Sequence, residues 1–462
     1  MVKIFKRYYS IRKLLFFVGE GLLLLVSLYG VACYYHKHEI ELIYSSFLWI
    51  KILFILFVCQ ISLYYYELYN FKTGFSYIEM TSRLIQALGS ATMILGAIFF
   101  IYPRMLPGRW VFISSLIIFI VLSCLWRYAY CAILKKGLWT KSVLIVGNGM
   151  FPLKIIRELK DNSDCGYKVI ALSTERPYPQ NKLLKGIDVI IGFNKLIQIV
   201  IDKQIETVVV AMDEKRGKLP VKELLELKVN GIPIIEGETF YEHLTGKILV
   251  ENINPSWLIF GEGFQKSFIT MASKRIVGII LSITGLLLTS PILIITAILI
   301  KLDTPGPVFF KQIRTGKDSK PFVLIKFRSM TVDAEKSGAQ WAQKNDPRVT
   351  RIGKIIRKLR IDEIPQMWNV LKGEMSFVGP RPERPEFVKE LAQKIPYYEQ
   401  RHAVHPGITG WAQISYPYGA SVKDAKEKLK YDLYYIKHMS IIFDLYIILK
   451  TVKIILFREG SR

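Results

Sequence analysis

Four apolar runs fill the first third of this chain: Leu14–Tyr35, Phe47–Tyr66, Leu84–Tyr102 and Trp110–Trp126. Each approaches the roughly 20 residues a helix needs to cross a bilayer, the last being short. Trp and Tyr mark several ends, as interfacial anchors do. From Ser142 the pattern changes to short β-rich runs, at Ser142–Val146, Tyr167–Leu172, Asp188–Ile191, Thr207–Ala211 and Pro233–Glu236. Between them lie the amphipathic stretches Pro152–Leu159, Lys195–Asp202 and Val221–Val229, an alternation that predicts a parallel α/β sheet. A fifth apolar run, Ile276–Ile300, follows Lys274 and Arg275 and carries Ser290-Pro291 in its second half. The closing run Ile441–Phe457 holds Asp444, Lys450 and Lys453 and reads as an interfacial amphipathic helix.

Charge decides how these runs lie. The chain has 462 residues, 51% of them hydrophobic, with a formal net charge of +25. This combination suits a membrane protein whose polar parts face anionic headgroups or anionic substrates. No recognisable nucleic-acid module accompanies the charge, so nucleic acid is not expected as a partner. Lys3, Lys6, Arg7, Arg12 and Lys13 precede the first run, which is longer than the apolar core of a signal peptide and reads as a retained anchor. Those residues, and Arg127, Lys135, Lys136 and Lys141 after the fourth run, belong on the cytoplasmic side, which four crossings satisfy. Glu20 lies inside the first run, where helix pairing or an interfacial location is its expected role.

If the fifth run crossed as well, the basic stretch holding Lys311, Arg314, Lys317, Lys320, Lys326 and Arg328 would lie outside the cell. A helix bent at Ser290-Pro291 that enters and leaves by one leaflet keeps that stretch in the cytoplasm. The five cysteines show neither disulfide nor zinc spacing. In the middle region, Gly147-Asn148-Gly149 follows the first strand as a dinucleotide fingerprint begins, but Pro152 occupies the third glycine position and no acid clearly ends the second strand. Gly147 and Gly149 are therefore weak cofactor candidates, and a turn needing small residues is the favoured reading. No Tyr-x-x-x-Lys pair supports dehydrogenase chemistry there.

The chemistry concentrates near the other end. Asp362-Glu363 lies between Arg357, Lys358 and Arg360 on one side and Gly379-Pro380-Arg381-Pro382 on the other. Adjacent carboxylates among arginines are what a magnesium-assisted reaction at phosphate needs. Asp362 could equally cap a helix whose first turn holds Pro365. The motifs around the pair lift the chemical reading. They are Asp303-Thr304-Pro305-Gly306-Pro307, Lys326-Phe327-Arg328-Ser329-Met330, Asn345-Asp346-Pro347-Arg348, Ile361–Gln366, Val378–Pro382 and Pro406–Trp411.

In this order the motifs resemble the signature of the bacterial sugar transferase family, the polyprenyl-phosphate hexose-1-phosphate transferases, over about Met271–Phe457. The four-run start and nucleotide-fold middle resemble its large form, found in exopolysaccharide, O-antigen and capsule initiation. The resemblance implies transfer of sugar-1-phosphate from a UDP-sugar, glucose being the expected sugar, to undecaprenyl phosphate with release of UMP. It implies Mg²⁺, Asp362 as nucleophile and metal ligand, and Glu363 as metal ligand. Lys326, Arg328, Arg357 and Arg381 would act on phosphate charge, Pro380-Arg381-Pro382 on the nucleotide, and Ser290-Pro291 as the break in a re-entrant helix. It also implies a homodimer in the bacterial cytoplasmic membrane, with the catalytic part on the cytoplasmic face. The expected organisation is a transmembrane region at 1–135, a Rossmann-like parallel α/β domain at 136–250, a linker at 251–272, a re-entrant helix at 273–302 and a mostly helical catalytic domain at 303–462. The competing readings are a membrane-anchored nucleotide-sugar dehydratase or epimerase, and a non-enzymatic nucleotide-sensing scaffold.

Overall fold

The computed structural model describes residues 2–4, 7–9, 11–35, 37, 46–69, 77–135, 140–162, 165–178, 182–213, 218–252, 263–264, 267–334, 346–417, 419 and 421–457. Lys6, Lys136, Asn345 and most of the expected linker lie outside them. Two compact units divide the chain between Phe240 and Tyr241, so Tyr241–Asn252 packs with the C-terminal unit although the sequence pattern groups most of it with the middle domain.

The first unit opens with four helices: α1 (Ile11–Tyr35), α2 (Ser46–Tyr65), α3 (Tyr77–Ile101) and α4 (Arg109–Lys135). Their inner faces share a core that includes Leu24, Leu28, Ile52, Ile55, Leu84 and Leu88. Their outer faces are apolar too, with Met93 80% and Phe100 88% exposed, as suits helices bounded by lipid rather than water. The fourth helix runs beyond Trp126, where the apolar pattern stops at Arg127. Arg127 is buried, ion-paired to Glu20 of α1 and bonded to the Leu68 carbonyl at 2.8 Å. Ser123 also donates to Glu20, at 2.6 Å. Glu20 is thus the helix-pairing group of α1 and α4, and its charge lets α4 continue through an arginine.

The middle sheet contains all five expected strands, β1 (Lys141–Val146), β2 (Tyr167–Thr174), β3 (Asp188–Ile191), β4 (Thr207–Val210) and β5 (Ile234–Glu236). They are parallel in the order β3-β2-β1-β4-β5, and the intervening helices α5 (Phe151–Asp161), α6 (Leu196–Asp202) and α7 (Val221–Val229) make the crossovers. The division between units falls within α8 (Gly237–Thr245).

In the second unit, the fifth apolar run is one helix, α9 (Phe268–Asp303), continuous through Pro291. Proline has no N–H for the carbonyl four residues back, Leu287, and the Ser290 hydroxyl supplies the missing donor at 2.8 Å. Both ends of α9 pack on this unit. Arg275 donates to the carbonyls of Val370 and Leu371, while Ile300 joins Phe327 and Ile356 in a small core.

An antiparallel hairpin follows, β6 (Phe309–Thr315) with β7 (Pro321–Phe327), then α10 (Arg351–Lys358), α11 (Gln366–Lys372) and β8 (Ser376–Val378). After α12 (Pro385–Lys394), β9 (Gly407–Thr409) pairs in parallel with β8, and α13 (Trp411–Ser415) and α14 (Val422–His438) lead to α15 (Ile441–Phe457). Trp411 is core, packed on Tyr434 and Phe443 and donating to the Gly246 carbonyl at 2.7 Å. Asp444 and Lys453 of α15 are 5% and 4% exposed. The charges that suggest a headgroup-facing helix are thus turned inward, and Ile442, Leu445, Leu449 and Val452 make its exposed stripe.

Candidate active site

Asp362 and Glu363 stand on a single 3₁₀ turn, Ile361–Glu363, between α10 and α11. Arg360, just before it, has φ +57°. Left-handed backbone costs a non-glycine residue of order 1 kcal/mol, and it reverses the chain at the end of α10 so that a new turn can start. Asp362 is thereby turned inward, 9% exposed, with Oδ1 buried and without a hydrogen-bond partner among the described residues.

Glu363 is held by cations. Its Oε1 accepts from Arg381 Nη2 at 2.8 Å and lies 3.7 Å from Arg360 Nη1 and 3.9 Å from Lys326 Nζ. Arg360, to which the sequence assigned no role, is thus part of the cluster. Burial opposes ionisation of Glu363, yet Arg381, Lys326 and Arg360 outweigh it and hold the carboxyl down at about 2. Asp362 goes the other way. Burial, then the Glu363 charge, push it up to about 6 against the pull of Lys326, Arg360 and Arg381. The cations therefore hold Glu363 firmly ionised and Asp362 less so. Asp362 is mostly ionised at neutral pH but titrates nearby. Burial, with Arg381 beside it, lowers Lys326 to about 8.

The turn that presents Arg381 is clamped along its backbone. Gly379 N–H donates to the Thr409 carbonyl at 2.9 Å, and the Pro380 carbonyl accepts from Gly407 N–H at 2.9 Å. Arg401 donates to the Arg381 carbonyl at 3.0 Å and is itself paired to Asp432 at 2.8 Å. Arg314 donates to the Pro382 carbonyl at 3.2 Å. Gly407 must be glycine because a Cβ there would meet the Gly379 backbone. Pro380 and Pro382 contribute restricted φ angles on either side of Arg381.

Other candidates lie apart from the carboxylates. Arg328 is 5% exposed, and its guanidinium donates to the carbonyls of Pro305 at 2.6 Å, Thr304 at 2.7 Å and Ile300 at 3.4 Å. It closes the C-terminal end of α9. That accounts for the motif around it: Gly306, at φ +119°, leaves the space its guanidinium fills, and Asp303 accepts from Ile352 N–H at 3.1 Å at the start of α10. Arg357 sits in the last turn of α10, half-buried, and its guanidinium makes no hydrogen bond or ion pair among the described residues. Sequence reasoning passed over Gln366, 3% exposed with Nε2 buried and without a hydrogen-bond partner among the described residues, one helical turn after Asp362. The signal was there in its spacing of four from the nucleophile candidate.

In the middle sheet, Gly147 approaches the Ala211 backbone and Gly149 takes φ +83°. Asp213 Oδ2 accepts from Met150 N–H at 3.0 Å, at the end of α5 where a dinucleotide phosphate would bind. A carboxylate there disfavours a second anion. β2 runs two residues further than its apolar pattern, so an acid does follow it: Glu175, bonded to Asn148 at 2.9 Å. The glycine loop is thus met by carboxylates that follow β4 and β2.

A Mg²⁺ ion takes oxygen ligands, commonly one or two carboxylates together with substrate phosphates. Asp362 and Glu363 fit that requirement, with the unpartnered Asp362 oxygen as the clearest vacant acceptor. No group of three metal-ligating side chains exists among the described residues, so substrate oxygens would have to complete such a site.

A family model described as bacterial sugar transferase matches residues 269–458. Among curated proteins, the UDP-N-acetylgalactosamine-undecaprenyl-phosphate N-acetylgalactosaminephosphotransferase of Aeromonas hydrophila is 45% identical over 231 residues, 50% of this chain and 54% of its own length. The exopolysaccharide production protein PSS of Rhizobium leguminosarum bv. phaseoli is 46% identical over 188 residues, 39% of this chain and 92% of its own. The UDP-glucose:undecaprenyl-phosphate glucose-1-phosphate transferase of Escherichia coli K12 is 44% identical over 181 residues, 39% of each chain. The match thus spans about half the length of the Aeromonas relative and nearly all of the Rhizobium one. With Asp362, Glu363, Lys326 and Arg381 gathered inside the matched segment, the chain belongs to the bacterial sugar transferase family.

Proposed function

We propose that this protein is a membrane-bound phosphoglycosyl transferase that moves a hexose-1-phosphate from a UDP-sugar to undecaprenyl phosphate and releases UMP. The observation that carries the reading is the division of labour between neighbouring carboxylates: Asp362 buried with an unpartnered oxygen, Glu363 fixed by three cations. The Asp362 carboxylate attacks the phosphorus that bears the sugar. One P–O bond forms to Asp362 as the P–O bond to UMP breaks. An oxygen of undecaprenyl phosphate then attacks the same phosphorus, and the Asp362 carboxylate leaves. Arg381 and Lys326 stay charged beside the phosphoryl oxygens, whose charge spreads in the transition state. Asp362 and Glu363 would hold Mg²⁺, which supplies further positive charge to those oxygens. Arg328 supports the site by holding the end of α9 against the end of β7.

Its setting is the cytoplasmic face of a bacterial membrane. Among the described residues, five helices are long and apolar enough to cross one. For α9 we propose re-entry, because both of its ends pack on the same catalytic unit. The exposed Ile355, Leu359 and Trp368 beside the site, with the stripe on α15, suit contact with the same leaflet.

The test is UMP release by the purified full-length protein with Mg²⁺ and undecaprenyl phosphate, offered UDP-glucose, UDP-galactose and their N-acetylated forms. Both glucose and N-acetylgalactosamine occur in the names of relatives. Release with one of these sugars, lost in Asp362→Asn, is the expected outcome. Silence with every sugar, or full activity in Asp362→Asn, would refute the assignment. Cysteines placed at the two ends of α9 should be labelled from the same side of sealed vesicles, and labelling from opposite sides would overturn re-entry.

A further inference from the structure

Val378 is the last residue before the catalytic turn, and its carbonyl is received by a buried polar cluster drawn from three helices. Lys274 of α9 donates to it at 3.3 Å, and Tyr435 of α14 lies 3.1 Å from it. Lys274 is also ion-paired to Asp444 of α15 and bonded to the Tyr435 hydroxyl at 2.5 Å. Tyr435 reaches the other Asp444 oxygen at 2.8 Å. All three side chains are under 10% exposed. A buried ion pair is a weak source of stability, since apolar groups of similar volume often do as well. Its geometry is specific, however, and a satisfied network fixes the groups it touches. Here it fixes one end of the segment that carries Arg381 to Glu363, whose other carbonyls are held by Gly407, Arg401 and Arg314.

We propose that Lys274, Tyr435 and Asp444 form a positioning cluster that makes the catalytic turn depend on the seat of the membrane helix. When α9 sits correctly, Lys274 holds Val378 and Arg381 meets Glu363 three residues on. When α9 is displaced, the turn loses its upstream hold. This inference rests on the proposed role of Arg381 in binding the UDP-sugar phosphates, and it adds a link between membrane seating and that role.

The test replaces the cluster without emptying it. A cavity of about 230 Å³ beside it is lined by Met271, Val378 and Met439, so apolar side chains find apolar neighbours. The triple variant Lys274→Met/Tyr435→Phe/Asp444→Leu removes every cluster donor to Val378. In the full-length protein in lipid nanodiscs, its melting temperature should stay near that of the parent. Its kcat/KM for the UDP-sugar should fall about 10- to 100-fold, mostly through KM, as misplacement of a binding group does. Hydrogen exchange should quicken over residues 376–382 and not elsewhere. Tyr435→Phe, which leaves the ion pair intact, should move exchange over 376–382 in the same direction by less. Parental kcat/KM and unchanged exchange over 376–382 in the triple variant would overturn the proposal. If it does not fold, unchanged exchange in Tyr435→Phe would do so. If the parent releases no UMP, the functional assignment fails, and the exchange measurement still decides whether the cluster holds the turn.

Discussion

The opposed shifts in the site predict a particular pH dependence. Asp362 must be ionised to attack, and burial with Glu363 beside it sets its titration at about 6. Lys326 must be protonated to hold phosphate charge, and burial lowers it to about 8. Both groups are then in working form in about 80% of molecules at pH 7 and in about 9% at pH 5 or pH 9, a roughly ninefold fall on each side. Lys326→Arg isolates the alkaline limb, because a guanidinium stays protonated throughout this range. In that variant the pH 9 rate should remain within about twofold of its own pH 7 rate, while the acid limb stays near 6. The quantity to measure is kcat/KM for the UDP-sugar. In a two-step transfer it reports the first half-reaction alone, so ionisation of the lipid phosphate does not enter. An alkaline limb that persists unchanged in Lys326→Arg would refute the role given to Lys326. An Asp362 carboxyl that titrates well below pH 5 in the protein free of Mg²⁺ would refute the account of Asp362.

Asp362→Asn should abolish turnover yet raise the melting temperature at pH 7. A carboxyl whose folded pKa is raised to about 6 destabilises the fold as pH rises from its unfolded value, near 3.8, through 6, a loss of order 2–3 kcal/mol. A melting temperature lowered by this substitution would contradict the burial argument. Arg328→Ala removes a buried donor to the carbonyls of Pro305, Thr304 and Ile300 and should cost about 3–5 kcal/mol of stability, read by chemical denaturation. A loss of activity with stability intact would move Arg328 into direct contact with substrate. Arg127→Leu strands the buried Glu20 and should cost about 3–5 kcal/mol, whereas Glu20→Leu/Arg127→Met should recover most of it in a detergent melting assay.

Much of this protein is set by local pattern. Apolar runs of about membrane length specify α1 to α4 and α9 whatever they pack against, because lipid admits little but helix. Strand and helix periods specify the middle sheet, and all five strands appear. The Asp362-Glu363 pair among arginines is legible as local charge, whereas Lys326 and Arg381 are marked by the motifs that resemble the family.

Tertiary packing decided the rest, since a residue type does not reveal which partner it will meet. Arg127 ends an apolar pattern, yet Glu20, 107 residues away, carries it inside and α4 continues. Asp444 looks like a headgroup-facing charge until Lys274 takes it. Arg328 and Lys326 are two residues apart in the sequence, but one closes a helix end and the other faces Glu363. Asp362 and Glu363 are adjacent carboxyls with similar intrinsic acidity. Burial raises both, and the direction of three cations separates them, one to about 6 and the other to about 2. Local sequence determined that two carboxylates would stand among cations; the fold determined which carboxylate is shielded by cations and which is left with an oxygen to use.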